Sequence, residues 1–517
     1  MKGIKSFLIS SVLILSILLS SCAGNGGETP SGNDVTDTKP ADTTAVKADD
    51  SEEITDDEKL DADNIDPEYS YEKWVEHGYG YLKYITIDTD GEVSADSSSL
   101  AWGMSYLLDT LCRGYCATGD IAFLEQLAIY VYKSYEGMAD NDGDGYLSWG
   151  TGHYSGGVYE EFAVHIGMML ATAGEFVFLI KGDSELSQKD TPLGMTYGEL
   201  ADYIIDRSVN HAIPSFDCDW NEELGVYMSR SGSGVYDGAE EIYSLPHNQY
   251  LAFAIGLMHF AKFSPEHTDE YLHRAEKMLT TFKNCVTWFP NIGVAAWNYN
   301  DPLFEGDHYT YRQEDFSHGM LDVRAAIIGY ENGLVFTLED INMLAKTYDT
   351  IMYRQGQEYP ALSDYVDGTG ESVGRIRLWN YDVSIYSPRT VLRGMEYMIF
   401  NSKPVNEDTL TVLSYHHDTP TPEQFSVTMP TEGAADVSPD NAIFIWQRGA
   451  KANYYRLQVS TDAEFTDIIV DRDKIINNAA VVDGLPANTE LYVRVIAMNM
   501  KGEGTVCEAH SFSTAES

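Results

Sequence analysis

Cationic residues are scarce in this chain: 33 Lys and Arg stand against 81 Asp and Glu in 517 residues, a formal charge of −48. Nucleic-acid binding needs a basic footprint, so that class of partner is excluded. The same imbalance offers no general attraction to acidic polymers, and an acidic ligand must be held by local Arg or Lys. Cysteine is also sparse, six residues without zinc-like spacing. Cys112 and Cys116 lie one helical turn apart and read as packing residues, so no disulfide framework is expected. Beyond the N-terminus no apolar stretch is long enough to span a membrane.

What is present begins with a targeting segment. Lys2 and Lys5 form a basic region, residues 7–19 are a short apolar run, and Leu19-Ser20-Ser21-Cys22 resembles the lipobox of bacterial lipoproteins. That resemblance implies acylation of Cys22 and removal of the signal ahead of it. The protein would then sit outside the cytoplasm, at the cell membrane or surface, anchored through lipid without crossing the bilayer. Residues 1–22 are read as this signal. Residues 23–70 are rich in Asp, Glu, Thr, Gly and Pro, bury too little apolar area to fold, and read as a disordered acidic tether.

Residues 71–410 alternate between two kinds of helix. Segments 100–115, 162–180, 250–263, 319–330 and 391–400 are apolar all round and should be inner. Segments 121–135, 197–211, 269–285 and 338–352 carry one charged face and should be outer. This repeated alternation resembles the (α/α) toroid fold of polysaccharide lyases, uronate epimerases and several glycoside hydrolase families. After a Pro-rich linker over 411–422, residues 423–517 show period-two runs at 442–446, 454–459 and 491–498. Trp446, Tyr455-Arg456-Leu457-Gln458-Val459 and Leu485-Pro486-Ala487-Asn488-Thr489 ahead of Tyr492 resemble a fibronectin type III domain. That resemblance implies core roles for Trp446 and Tyr492 and a module serving as spacer or binder. The expected fold is multidomain: an all-α (α/α) helical-hairpin toroid followed by an all-β fibronectin type III-like sandwich.

The densest chemistry lies in residues 308–322, His-Tyr-Thr-Tyr-Arg-Gln-Glu-Asp-Phe-Ser-His-Gly-Met-Leu-Asp. Tyr309, Tyr311, Arg312, Glu314, Asp315 and His318 crowd a loop and the first turn of an apolar helix. The bland alternative is an N-cap with a salt-bridge network, Asp315 or Ser317 capping and Arg312 pairing with Glu314. Polar residues also cluster before the other inner helices: His153, Tyr154, Tyr159, Glu160 and Glu161; His247 and Asn248; Arg375, Arg377, Trp379 and Tyr381. Loops entering the inner helices of a toroid line its funnel, so four such loops point to one convergent site.

Two chemistries fit. Elimination or C5-epimerisation at a uronate needs a group that neutralises the carboxylate, plus a base and an acid. By resemblance to toroid lyases, Asn248, Arg312 or Arg375 would neutralise, His247 or His318 abstract, and Tyr309 or Tyr311 protonate. For His247 and Asn248 a simple helix cap is an equal alternative. Inverting hydrolysis needs two carboxylates about 6.5–9.5 Å apart, and Glu160 or Glu161 with Asp315 would supply them. A third reading is a non-catalytic glycan-binding or adhesion protein. Trp149 and Tyr154 read as a sugar-stacking rim. Asp140, Asp142 and Asp144, with Gly145 at position six, match the start of a Ca2+ loop, but position twelve is Thr151 rather than the bidentate Glu; the same residues also read as an acidic turn. Neither chemistry requires a cofactor. A polysaccharide or oligosaccharide is the expected partner, bound by a monomer.

Overall fold

The computed structural model describes residues 92–228, 245–300, 313–354, 361–370, 381–387, 390, 421–449, 452–499 and 502–516. The signal with Cys22, the tether, most of the linker, the helix expected at 391–400, and Tyr309, Tyr311, Arg312, Arg375, Arg377 and Trp379 lie outside these residues, as does the side chain of Tyr381.

Among the described residues, the eight longest α-helices form four hairpins. They are α1 (Ser105–Thr118), α2 (Ile121–Glu136), α3 (Ala163–Lys181), α4 (Tyr197–Arg207), α5 (His247–Phe260), α6 (Thr268–Cys285), α7 (Phe316–Glu331) and α8 (Leu338–Lys346). The odd-numbered helices pack side by side in chain order, and each even-numbered helix backs its predecessor. Composition explains the division. Contrary to the sequence expectation, α3 is long and apolar enough to cross a membrane, but only its terminal Lys181 is not buried and it packs as a core helix, whereas α4 buries Tyr197, Leu200, Ala201 and Ile204 and turns its charges outward. Sequence also sets the helix starts: Asp120 caps α2, while Thr196 with Glu199 and Thr337 with Asp340 form capping boxes on α4 and α8. The centre is tight because glycines let the inner helices approach. A Cβ on Gly174 would lie 2.6 Å from His259 Cβ, and one on Gly167 would strike the Ala252–Phe253 backbone.

Short hairpins, among them Thr287–Phe289 with Val294–Ala296, decorate the helical domain. The C-terminal region is a β-sandwich. Its strands are β1 (Val427–Met429), β2 (Ala434–Val437), β3 (Ala442–Trp446), β4 (Tyr454–Ser460), β5 (Ile468–Ile475), β6 (Ala479–Val482), β7 (Glu490–Met498), β8 (Gly504–Val506) and β9 (His510–Thr514). One sheet runs β5-β4-β7-β9-β2, with β8 on β7, and the other β6-β3-β1. Trp446, Phe444, Leu457, Val493 and Val495 fill the space between the sheets.

The β-sandwich is not a spacer on a free linker. It closes over the C-terminal ends of α3, α5 and α7. Ile445 and Ala479 pack against Phe178, and Ile476 and Val481 join the core of the helical domain. Arg448 reaches Glu175 of α3 at 2.9 Å. Glu175 also faces Arg113 of α1 at 3.4 Å and Arg324 of α7 at 4.0 Å. Glu331 at the end of α7 accepts hydrogen bonds from the Ile476 amide and the Asn477 side chain. The alternating sequence pattern is blind to this contact, because its apolar and charged members are remote from one another in sequence.

Candidate active site

The N-terminal ends of the inner helices face away from the β-sandwich, and the titratable groups collect there. Helix α7 begins at Asp315, whose Oδ1 accepts hydrogen bonds from the backbone N–H groups of Ser317 (3.0 Å) and His318 (3.1 Å). Its Oδ2 accepts from His318 Nδ1 at 2.6 Å. Burial pushes the Asp315 carboxyl up, but His318, the Ser317 hydroxyl and the cap amide outweigh it and hold the group well below the usual carboxylate range. Asp315 is therefore ionised, and its contact with Nδ1 orients the His318 ring. The two side chains are 23% and 31% exposed, so the dyad meets solvent. The Tyr299 ring lies 5.2 Å from that of His318. The N-cap alternative is thus correct for Asp315, and it coexists with the dyad.

Beneath the dyad lie Glu314 and Asp322, both fully buried. The two carboxyls perturb each other, and Glu314 Oε2 and Asp322 Oδ1 have no other hydrogen-bond partner. Burial, reinforced by the neighbouring carboxylate, raises Glu314 well above its ordinary value, and burial raises Asp322 to about 7. The pair titrates as a unit. Trp297 Nε1 donates to Asp322 at 2.8 Å, and the Asp315 amide donates to Glu314 at 2.9 Å. Glu314 is therefore not an accessible catalytic residue.

His247 is also displaced from its expected role. It is completely buried at the start of α5, its Nδ1 pairs with the Tyr250 hydroxyl at 2.6 Å, and its ring packs on Phe282. Burial lowers it to about 3, so it stays neutral. Asn248 is 2% exposed, and neither residue caps the helix, whose N-cap is Pro246. Trp149 is not a stacking rim either. It is 1% exposed, its indole N–H donates to Ser134 O at 2.7 Å, and Tyr135 meets it edge-on. An aromatic after a turn reads the same whether it points in or out, and here it points into the core.

His153 and Tyr154 are exposed. Tyr159 donates to Glu161 at 3.1 Å, Glu161 is buried, and Glu160 is part-exposed. The Asp140, Asp142 and Asp144 carboxylates do converge within 4.8 Å and are exposed. Each accepts an amide of its own turn, and the Thr151 hydroxyl at position twelve is committed to Asp96 at 2.6 Å. The acidic-turn reading accounts for all of these contacts.

Sequence reasoning passed over Asp322, Trp297, Tyr299 and the Asp96–Thr151 pair. Asp322 had a signal: it follows Asp315 by seven and His318 by four, one face of a helix. The other positions, distant in the chain, carried none.

No family model matches the chain, and no curated protein matches it. Among solved structures, the chain is similar to a reducing-end-xylose releasing exo-oligoxylanase, at 13% identity over 68% of this chain and 92% of that one, with a TM-score of 0.35. The same enzyme complexed with xylose gives a TM-score of 0.37. A glycoside hydrolase family 15 glucoamylase from Hypocrea jecorina gives 10% identity over 81% of this chain and 76% of that one, with a TM-score of 0.22. The likeness is loose at all of these values.

Proposed function

We propose that this is a carbohydrate-active protein of (α/α) toroid type that moves a proton at a uronate, by elimination or C5-epimerisation, with His318 as the proton-transfer group. The observation that carries the reading is the Asp315–His318 contact: a histidine oriented through Nδ1 by an ionised carboxylate, yet one-third open to solvent. Tyr299 stands beside it as a candidate acid. Neutralisation of the uronate carboxylate falls to Arg312 or Arg375, since buried Asn248 cannot meet a ligand without rearrangement. Glu314 and Asp322 do not form an accessible hydrolytic pair, because both are fully buried. Anchoring through Cys22, action outside the cytoplasm, a fibronectin-type C-terminal module and a monomeric state complete the proposal on sequence grounds.

The test is ultraviolet absorbance of the conjugated C4–C5 double bond while the protein is incubated with uronate polysaccharides. His318→Ala should lower the rate by at least about 100-fold. Asp315→Asn should also slow it, because the amide leaves Nδ1 without its carboxylate. New reducing ends without absorbance would move the assignment to hydrolysis by Asp315 with Glu160 or Glu161.

A further inference from the structure

Beside the dyad is a small apolar group that stands apart from the main core. Ala252 of α5 and Leu321 of α7 meet Trp102, Tyr106 and Phe162 there. Leu321 is three residues past His318 and one before Asp322, so this group and the dyad share the first turns of α7. The His165 ring sits at its centre, 5.5 Å from Trp102 and 5.2 Å from Phe162, with Tyr154 at 5.7 Å. His165 is buried, and its Nδ1 pairs with the Ser97 hydroxyl at 2.9 Å. Burial keeps it uncharged, with a pKa lowered to about 3. Trp102, Tyr106 and Phe162 are only part-buried, and Tyr154 is 38% exposed. Large rings packed on one side and open on the other leave a face for something else to cover.

Two further observations concern Trp102. It lies in a π-helical turn, Leu100–Met104, ahead of α1. Such turns often accompany functional sites, because the extra residue re-aims side chains. The next residue, Gly103, borders open space: a Cβ built there meets nothing within 4 Å.

We propose that Trp102, with Tyr154 and Phe162, is the platform on which a pyranose ring stacks, placing its glycosidic neighbour at His318. The rings meet edge-on or tilted around a neutral imidazole, so they tile a surface for C–H faces and do not form a cage for a cation. The exposed His153, whose ring contacts Tyr154 at 4.7 Å, supplies a hydrogen-bonding rim for sugar hydroxyls. The inference rests on the carbohydrate reading above and names Trp102 as a substrate-binding residue of that site.

The test uses the full-length chain with a panel of uronate-containing and neutral oligosaccharides, reading affinity by calorimetry and turnover by absorbance. Trp102→Ala should weaken binding by about 10-fold or more, the equivalent of about 1.4 kcal/mol, raising KM while kcat falls little. Gly103→Phe, which leaves Trp102 in place but fills the space beside it, should do the same, and thermal melts would show both variants folded. His318→Ala should bind like the wild type and lose turnover. Wild-type affinity in both Trp102→Ala and Gly103→Phe would overturn the platform, even with His318-dependent turnover intact. Binding that needs Trp102, in a protein without any turnover, would support the platform and remove the catalytic reading. A wild-type chain that binds nothing in the panel would overturn both.

Discussion

A carboxyl with no cation beside it must find a proton when it is buried next to another carboxyl, and Glu314 and Asp322 are in that position. Their folded-state pKa values lie above those of the unfolded chain. The folded protein therefore binds more protons than the unfolded one between about pH 4 and 7. This stabilisation is complete below the unfolded values and is lost as pH rises through about 7, where Asp322 titrates. Asp322→Asn keeps the Trp297 hydrogen bond and leaves Glu314 as the lone carboxyl of the pair. Its melting temperature should fall less between pH 5 and 8 than that of the wild type, by about 3 °C, in calorimetric scans; an equal fall would show that the pair does not titrate as a unit. Asp315 has the opposite shift, and its stabilisation is present at neutral pH and lost only in acid. At this scale the sequence marked the short stretch that holds the Asp315–His318 contact. It did not separate those two residues from Glu314, because burial of one neighbour and exposure of the next depends on what packs above them.

The inner helices owe their closeness to small residues at the crossings. Gly167, Gly174 and Gly256 lie where α3 meets α5, and an added Cβ would collide with backbone or with Cβ atoms of the opposite helix. Glycine ordinarily weakens a helix by about 1 kcal/mol relative to alanine, so Gly167→Ala would be stabilising on propensity alone. Overpacking wins here, because the obstacle is the Ala252–Phe253 backbone and cannot rotate away. Gly167→Ala should destabilise the protein by about 2 kcal/mol in denaturant titrations. Inner and outer helices were legible from the width of the apolar face. The particular neighbours α3 and α5 were not, because every all-apolar helix presents the same face.

The two folded regions of the described chain share a buried ionic centre. Arg448 comes from the β-sandwich, Glu175 from α3, Arg113 from α1 and Arg324 from α7. A buried carboxylate that loses one of its cations keeps its desolvation cost, so Arg448→Ala should cost about 3 kcal/mol. The helices and the sandwich should unfold in a single calorimetric transition; two separated transitions in the wild type would contradict the joint core. This interface lies at the opposite ends of the inner helices from His318. The sandwich therefore supports the helical scaffold from below, and its removal should cost folding.

The sequence by itself determined the local and periodic features: charge balance, helix starts at capping residues, inner and outer faces, strands in the C-terminal region, and Asp315 with His318 three apart on one helical turn. These follow from neighbours in the chain and from the 3.6- and two-residue periods. Only the tertiary structure decided that His247 and Trp149 are core, that Glu314 and Asp322 are buried together, that Trp102 is part-buried against His165, and that Arg448 closes the far end. Each of those depends on solvent exposure and on partners remote in sequence, and exposure is a property of the packed molecule that residue identity does not carry.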